Sequence, residues 1–254
     1  MKILKTSASA VQKSLFAVLF VLVCIIIISC SDNSTSTTTT TQTLPAVFNK
    51  FSSAVTISVS GNYVVLNSKD RPNHPSAYFP TTDSLYQPDN DTGFHRAPGY
   101  IIQQNLTFQI PINPTAATNH AATQGGPIGI SLNGVPFFNQ YNGQGQPLTT
   151  EISSFDQWKG HPQMQGQYHY HEEPTYLTHT NSDSTLLGFL LDGFPVYGPV
   201  ENGVTVTNAN LDVYHGHTTR TADYPNGIYH YHVTSESPYI NGSGYYGTPG
   251  SVTQ

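Results

Sequence analysis

Cysteine is almost missing from this chain. Its two cysteines, Cys24 and Cys30, both fall within the first thirty positions, so disulfides cannot hold the rest together. Charge is scarce too, at 9% of residues. No segment offers the sustained stripe of Ala, Leu, Glu and Lys that long helices need, which argues against an α-helical fold. Also missing are a nucleophile elbow, a P-loop, a dinucleotide fingerprint and an H-E-x-x-H zinc helix. Basic residues number nine against fifteen acidic. Three of the nine, Lys2, Lys5 and Lys13, precede an apolar run; without that leader six basic residues remain and the net charge is −9. That balance argues against nucleic acid and anionic membrane surfaces as partners. It does not oppose cations.

The leader is the first thing present. A basic start, the apolar stretch Leu15–Ile28 and Ser29-Cys30 have the order of a secretory signal. Ile27-Ile28-Ser29-Cys30 reads as a bacterial lipobox, with Cys30 the lipidated first mature residue. The alternative, a membrane-spanning anchor, would need ~20 apolar residues, more than the run supplies. The reading is therefore a signal peptide over 1–30 and a protein anchored by lipid in a bacterial cell envelope, facing periplasm or exterior. Residues 31–45 are Ser, Thr, Asn and Gln with almost nothing apolar, a flexible tether. The domain then covers 46–254, long enough for one all-β unit with a sizeable core.

Within that domain one tetrad occurs twice, Tyr168-His169-Tyr170-His171 and Tyr229-His230-Tyr231-His232. The surrounding residues recur as well. Gly129, Asn133, Gly134 and Pro136 match Gly188, Asp192, Gly193 and Pro195. Asp156 and Gly160-His161 match Asp212 and Gly216-His217. The spacing predicts a duplicated unit, 128–173 and 187–234, related by a pseudo-twofold within one loop-rich sandwich or barrel. Further elements are expected as follows. Ala54–Ser60 and Tyr63–Asn67 form a hairpin. Residues 69–99 form a long proline-rich ordered loop that could cover a site. Tyr100–Ile110 is a strand with Ile102, Leu106, Phe108 and Ile110 inward. Asn133-Gly134 and Asp192-Gly193 are two-residue type I′ turns. Val204–Thr207 is a short strand, and 239–254 a loose tail.

Side chains alternate faces along a strand, so both histidines of a tetrad share one face and both tyrosines the other. Neutral imidazole ligates zinc, copper, nickel and iron. The expected metal sets are His161, His169 and His171, and His217, His230 and His232, each leaving room for an open zinc site or a copper site with a fourth ligand. A composite site drawing on both tetrads is the other arrangement. A Tyr/His hydrogen-bond network without metal is the structural alternative. Asp156 and Asp212 are candidates to orient an imidazole from behind or to cap a turn. Asp192 is either a turn residue or a carboxylate peculiar to the second unit. Tyr168, Tyr170, Tyr229 and Tyr231 are expected in the core. His215 is an accessory, and His74, His95, His120 and His179 read as isolated surface histidines.

The chain resembles the YHYH-domain proteins, which are secreted or periplasmic. The resemblance rests on Pro127-Ile128-Gly129, Asn133-Gly134-Val135-Pro136, Gly160-His161-Pro162, both tetrads, Leu191-Asp192-Gly193-Phe194-Pro195-Val196-Tyr197-Gly198, Gly216-His217-Thr218 and Pro238-Tyr239-Ile240, and covers about 100–247. The resemblance implies cysteines within the D-x-C-x-G-H segments and near the C-terminus; here Trp158, Tyr214 and Ser243-Gly244-Tyr245 stand instead. It brings no defined activity. Three functions follow from the residues: a lipid-anchored binder of copper or zinc, a metal-dependent hydrolase or oxidase using the same histidines, or a metal-free surface-interaction domain.

Overall fold

The computed structural model describes residues 42–254. The leader, Cys30 and all but the last residues of the tether lie outside the described residues. No helix among those described is long and apolar enough to cross a membrane. The described chain is almost all β, with short 3₁₀ turns and one α-helix, α1 (Thr175–Thr180).

The chain opens with the expected hairpin, β1 (Thr56–Ser60) and β2 (Tyr63–Ser68), followed by β3 (Leu106–Pro111). β4 (Gly129–Ser131), β5 (Pro136–Phe137), β6 (Gly160–Pro162) and β7 (Tyr168–Tyr170) make the first unit. β8 (Leu186–Leu190) and β9 (Pro195–Tyr197) begin the second, β10 (Val200–Glu201) and β11 (Val204–Thr205) form a two-stranded outlier, and β12 (Gly216–Thr219) and β13 (Ile228–His232) complete it. Last comes β14 (Ser251–Thr253).

The strands form a four-stranded sheet, β1-β2-β3-β14, and an eight-stranded sheet, β12-β13-β9-β8-β4-β5-β7-β6. The large sheet is open, with β6 and β12 at its edges, so the architecture is sandwich-like and not a closed barrel. Its order reads alike from either edge once β4, β5, β6 and β7 are exchanged for β8, β9, β12 and β13. The seam is symmetric at residue level. Gly129 pairs with Leu190, Ile130 with Phe189 and Ser131 with Gly188, so the equivalents Ile130 and Phe189 meet each other. Leu132 N–H donates to Leu187 O at 2.7 Å, and its counterpart Leu191 N–H donates to Ile128 O at 2.9 Å. The duplication is built into the pairing.

The hairpin turns differ from expectation. Ser131 N–H donates to Val135 O, and Gly134 N–H donates to Ser131 O, both at 2.9 Å. Leu190, Gly193 and Phe194 repeat this at 3.0–3.1 Å. Each loop therefore has three residues and closes on a glycine at φ 89° (Gly134) or 87° (Gly193), a three-residue hairpin with a glycine bulge rather than type I′. The extra residue aims the tips at the smaller sheet, where Ser68 Oγ donates to Gly134 O at 2.6 Å. Between the sheets Val64, Leu66, Phe108, Ile110, Ile130, Phe137 and Phe189 are buried in one core cluster. At roughly 1.5–3 kcal/mol per buried side chain, this layer is the main source of stability that fixes the two units.

Two more expectations need correction. The strand predicted from Tyr100 begins only at Leu106, and Ile102 is 55% exposed. The N–H groups of Ile101, Ile102 and Gln104 donate to Tyr78, Gly166 and Lys69, which are loops rather than a neighbouring strand. The tail is also tied down. β14 pairs with β3, Tyr245 and Ile240 are buried, and Gly247 N–H donates to Asp192 Oδ2 at 2.9 Å.

Candidate metal centres

The two half-sheets bring each G-H histidine opposite its tetrad. His161 pairs across the ladder with His169, and His217 with His230; paired residues share a face. The next histidine on that face is two residues along. The glycine of G-H is required sterically: a Cβ at Gly160 would collide with the Tyr168 ring, and one at Gly216 with Tyr229.

In site 1, His161 Nε2 lies 3.1 Å from His169 Nε2, which lies 2.9 Å from His171 Nε2. All three rings are buried. What faces each Nδ1 decides where the protons are. His169 Nδ1 faces Gln167 O at 3.1 Å and His171 Nδ1 faces Asn139 O at 2.5 Å. A carbonyl only accepts, so both Nδ1 atoms carry the hydrogen. His161 Nδ1 faces Ser154 Oγ at 2.8 Å, and that hydroxyl donates its single proton to Glu151 O at 2.7 Å; it therefore accepts from His161. Burial holds the rings neutral, pushing His161 down to about 3, His171 to about 4 and His169 well below its ordinary value. Each ring is then a neutral Nδ1–H tautomer, and three bare Nε2 lone pairs converge with no proton between them.

Site 2 repeats this with a change. His230 Nε2 and His232 Nε2 are 3.1 Å apart. Their Nδ1 atoms donate to Ile228 O at 3.0 Å and Gly198 O at 2.7 Å, the counterparts of Gln167 and Asn139. Burial lowers both rings, His232 to about 4. His217 Nε2 has no hydrogen-bond partner and completes the set together with Glu201, whose oxygens lie 3.4 Å from His217 Nε2 and 3.5 Å from His230 Nε2. The four ligand atoms, and separately the three of site 1, lie within 4.8 Å of one another. The tetrads stay in separate sets, and the composite arrangement does not form among the described residues.

Glu201 escaped the sequence reading. It comes from β10, a strand with no counterpart in the first unit, and no spacing in Glu201-Asn202-Gly203 points to a histidine. Of the two readings open to the aspartates, an orienting carboxylate or a turn cap, the structure has the cap. Asp156 accepts from Ser76 Oγ, Tyr168 OH at 2.9 Å and Trp158 N–H at 2.9 Å. Asp212 accepts from Tyr229 OH and Tyr214 N–H, each at 2.9 Å. Asp192 accepts from Tyr231 OH at 2.6 Å. None bonds to an imidazole; they cap turns and hold the tetrad tyrosines, whose own ring faces are in the core as expected. A carbonyl or serine oxygen occupies the position behind the rings that the orienting reading assigns to them.

Among the remaining histidines, His74 is not on the surface. It is fully buried, its Nδ1 donating to Pro75 O at 3.0 Å and its Nε2 accepting from Tyr170 OH at 2.8 Å. Its loop, 69–99, thus packs on the tyrosine face, while Ala97 and Pro98 line the cleft at site 1. His215 is a backbone brace: at φ 74° its Nδ1 donates to His232 O at 3.1 Å. His95, His120 and His179 are exposed.

An all-β protein with a duplicated half-sheet, each half presenting converging imidazoles, is the class this fold and site define. The chain belongs to the family described as YHYH protein, whose model matches residues 107–203 and 200–244. No curated protein matches the chain, and no solved structure does. Where relatives are expected to carry cysteines, Tyr214 packs its ring 3.7 Å from the position a Cβ would take at Gly244 and stacks on His120 at 4.3 Å.

Proposed function

We propose that the protein binds transition-metal ions, zinc or copper, one at each histidine set. The observation that supports this most is the proton inventory of site 1. Three nitrogens that approach to 2.9–3.1 Å would repel if all were lone pairs facing one another, and their Nδ1 partners leave them no proton to share. A cation resolves the conflict. Nitrogens bound to one tetrahedral ion at ~2.0–2.1 Å would stand roughly 3.3 Å apart, so the two contacts that His169 makes, at 3.1 and 2.9 Å, need to open by only a few tenths of an ångström. Neutral, low-pKa imidazole is the form that ligates. In site 2 Glu201 supplies a fourth donor and one negative charge. The metal-free Tyr/His network fits less well. The tyrosines and histidines occupy opposite faces, and the Nε2 atoms have no donor to bond.

The lipobox supports a further part of the reading: the domain hangs by Cys30 from a bacterial membrane, in the periplasm or at the cell exterior, and handles metal there. Cys30→Ser should move the protein from the membrane fraction to the soluble one. Elemental analysis of purified protein, before and after chelator, tests the metal reading. Two equivalents of zinc or copper that return on reloading are expected. A protein that takes up neither metal sinks the proposal.

A further inference from the structure

The two sites treat their carboxylates differently. Glu201 belongs to the convergent set of site 2, whereas site 1 has three nitrogens only. Yet site 1 has a carboxylate close by. Glu151 Oε1 lies 3.8 Å from His161 Nε2, and Glu151 Oε2 is buried without a hydrogen-bond partner. No cationic side chain pairs with Glu151 among the described residues. It arises from the turn before Ile152–Ser154, and its position in the repeat does not correspond to that of Glu201. A carboxylate held at the rim of a tri-histidine set, outside it and unpartnered, occupies the place of a proton acceptor for water on the metal's fourth position.

The surroundings agree. Site 1 opens into a cleft of about 520 Å³. Its walls include Pro98, Phe138, Tyr141, Gln163 and Met164, and no lysine or arginine lines it. The cleft of about 540 Å³ at site 2 contains Lys50 and Arg220. A phosphate ester or other anion would find no counter-charge at site 1; an uncharged acyl compound would find an apolar wall with amides to orient it.

We propose that site 1, resting on the metal reading above, is a hydrolytic centre for uncharged carboxylic esters or amides, with Glu151 as general base. Water on the metal attacks the acyl carbon and one of its protons passes to Glu151. The bond from that carbon to the leaving oxygen or nitrogen breaks, and Glu151 returns the proton to the leaving group. One water is added across the acyl bond, and no oxidant or reductant is consumed. Site 2, with Glu201 in the fourth place, is closed to this chemistry.

The test uses the zinc-loaded full chain, with 4-nitrophenyl acetate and its anilide counterpart as probes and zinc stoichiometry measured on every variant. Wild type should hydrolyse at least the ester faster than zinc-loaded His169→Ala/His171→Ala protein. Glu151→Gln should keep its zinc and KM while kcat falls about 10²–10⁴-fold, and Glu151→Asp should recover part of the loss. The proposal is overturned if Glu151→Gln hydrolyses as wild type does, if it loses zinc in step with activity, or if zinc-loaded wild type cleaves neither probe. A protein that binds no zinc overturns the metal reading instead, and the stoichiometry distinguishes the two failures.

Discussion

The two histidine sites are products of one duplicated scaffold, and they are not alike. Both fix two rings through the same backbone carbonyls, Gln167 and Asn139 in one unit and Ile228 and Gly198 in the other. Beyond that they diverge. Site 1 is closed in by aromatics: Phe138 stacks on His169 at 3.9 Å and Phe155 meets His161 edge-on at 4.8 Å. At site 2 the counterpart of Phe138 is Tyr197, whose hydroxyl bonds to Thr221 and Asp223, and His217 is 22% exposed beside Glu201. The ladder thus sets which atoms converge, while loops outside the repeat set their charge, wetness and fourth partner. Glu201 sits lower than an ordinary carboxylate: partial burial pushes it up, but the Thr219 hydroxyl and the three imidazoles outweigh that.

The hardest way to break the comparison is to delete one site at a time. His169→Ala/His171→Ala should remove one metal equivalent completely and leave the second, and His230→Ala/His232→Ala should do the reverse. Loss of both equivalents from either variant, by elemental analysis, would mean the sites are coupled and the two-site reading is wrong.

Acid should unfold the metal-free protein, and site 1 should account for more of the effect. His74, His161, His171, His215 and His232 are pushed from 6.5 down to between about 3 and 4, mainly by burial. Their folded values are depressed, so they bind protons in the unfolded chain first. Their stabilisation is intact above pH 6.5 and is lost as pH falls toward 4. Asp156 and Asp192, raised by burial to about 6, and Asp70, raised well above its ordinary value by burial, act in the opposite sense and add stability on acidification. With each strongly shifted group worth on the order of 3 kcal/mol, these histidines together with His169, which is pushed well below its ordinary value, outweigh the three aspartates. A fall in Tm of at least about 10 °C between pH 7 and 4.5 is expected. The site 1 double variant should flatten that profile more than the site 2 variant, since burial and the neighbouring imidazoles push His169 well below its ordinary value, while the Glu201 carboxylate beside His230 opposes the same shift there. Equal flattening would remove this distinction between the sites.

A finer probe is Glu201→Gln, which keeps shape and removes charge. Zinc affinity at site 2 should drop about 10–100-fold, with site 1 unchanged in the same titration. No change at site 2 would show that Glu201 is a bystander.

Much of this was legible in the sequence because two periodicities coincided. The alternation of Tyr and His fixed which side chains share a face, and the matched Gly, Asx and Pro positions fixed the two-unit sheet. The six histidines therefore stand together in the two groups that this alternation implies. What stayed hidden depends on loops whose course no local pattern encodes. Glu201 and Glu151 reach the sites from unrelated segments, and His74 is buried only because the loop 69–99 folds back over Tyr170. The turns were misread by one residue because Asn-Gly and Asp-Gly suit either hairpin, and only the ladder register distinguishes them. Asp156 and Asp212 lie near the histidines in sequence, but the pleat turns them toward the tyrosines, and of their two readings the turn cap is the one that holds.

The tyrosine faces provide the mildest contrast between the units, and the one least tied to metal. In unit 1 Asn133 Nδ2 donates to Tyr170 O at 3.1 Å, and Tyr170 passes its own proton to His74. In unit 2 Asp192 stands in the same place, so the direction reverses: Tyr231 donates to Asp192 Oδ2, and Gly247 N–H donates to the same oxygen. Phe194 N–H takes the other oxygen at 3.3 Å. Every neighbour of Asp192 is thus a donor, and its site accommodates a carboxylate where Asn133 would not serve. Asp192→Asn must place an amide N–H against one of those donors whichever way it flips. The cost is that of an unsatisfied buried group, about 1–3 kcal/mol, or roughly 2–10 °C in Tm, and the C-terminal segment at Gly247 should show faster hydrogen exchange. Metal content should stay at two equivalents, because the substitution lies on the opposite face of the sheet from His230 and His232. If the variant loses the site 2 metal, the two faces are not independent, and the separation of tyrosine scaffold from histidine site fails.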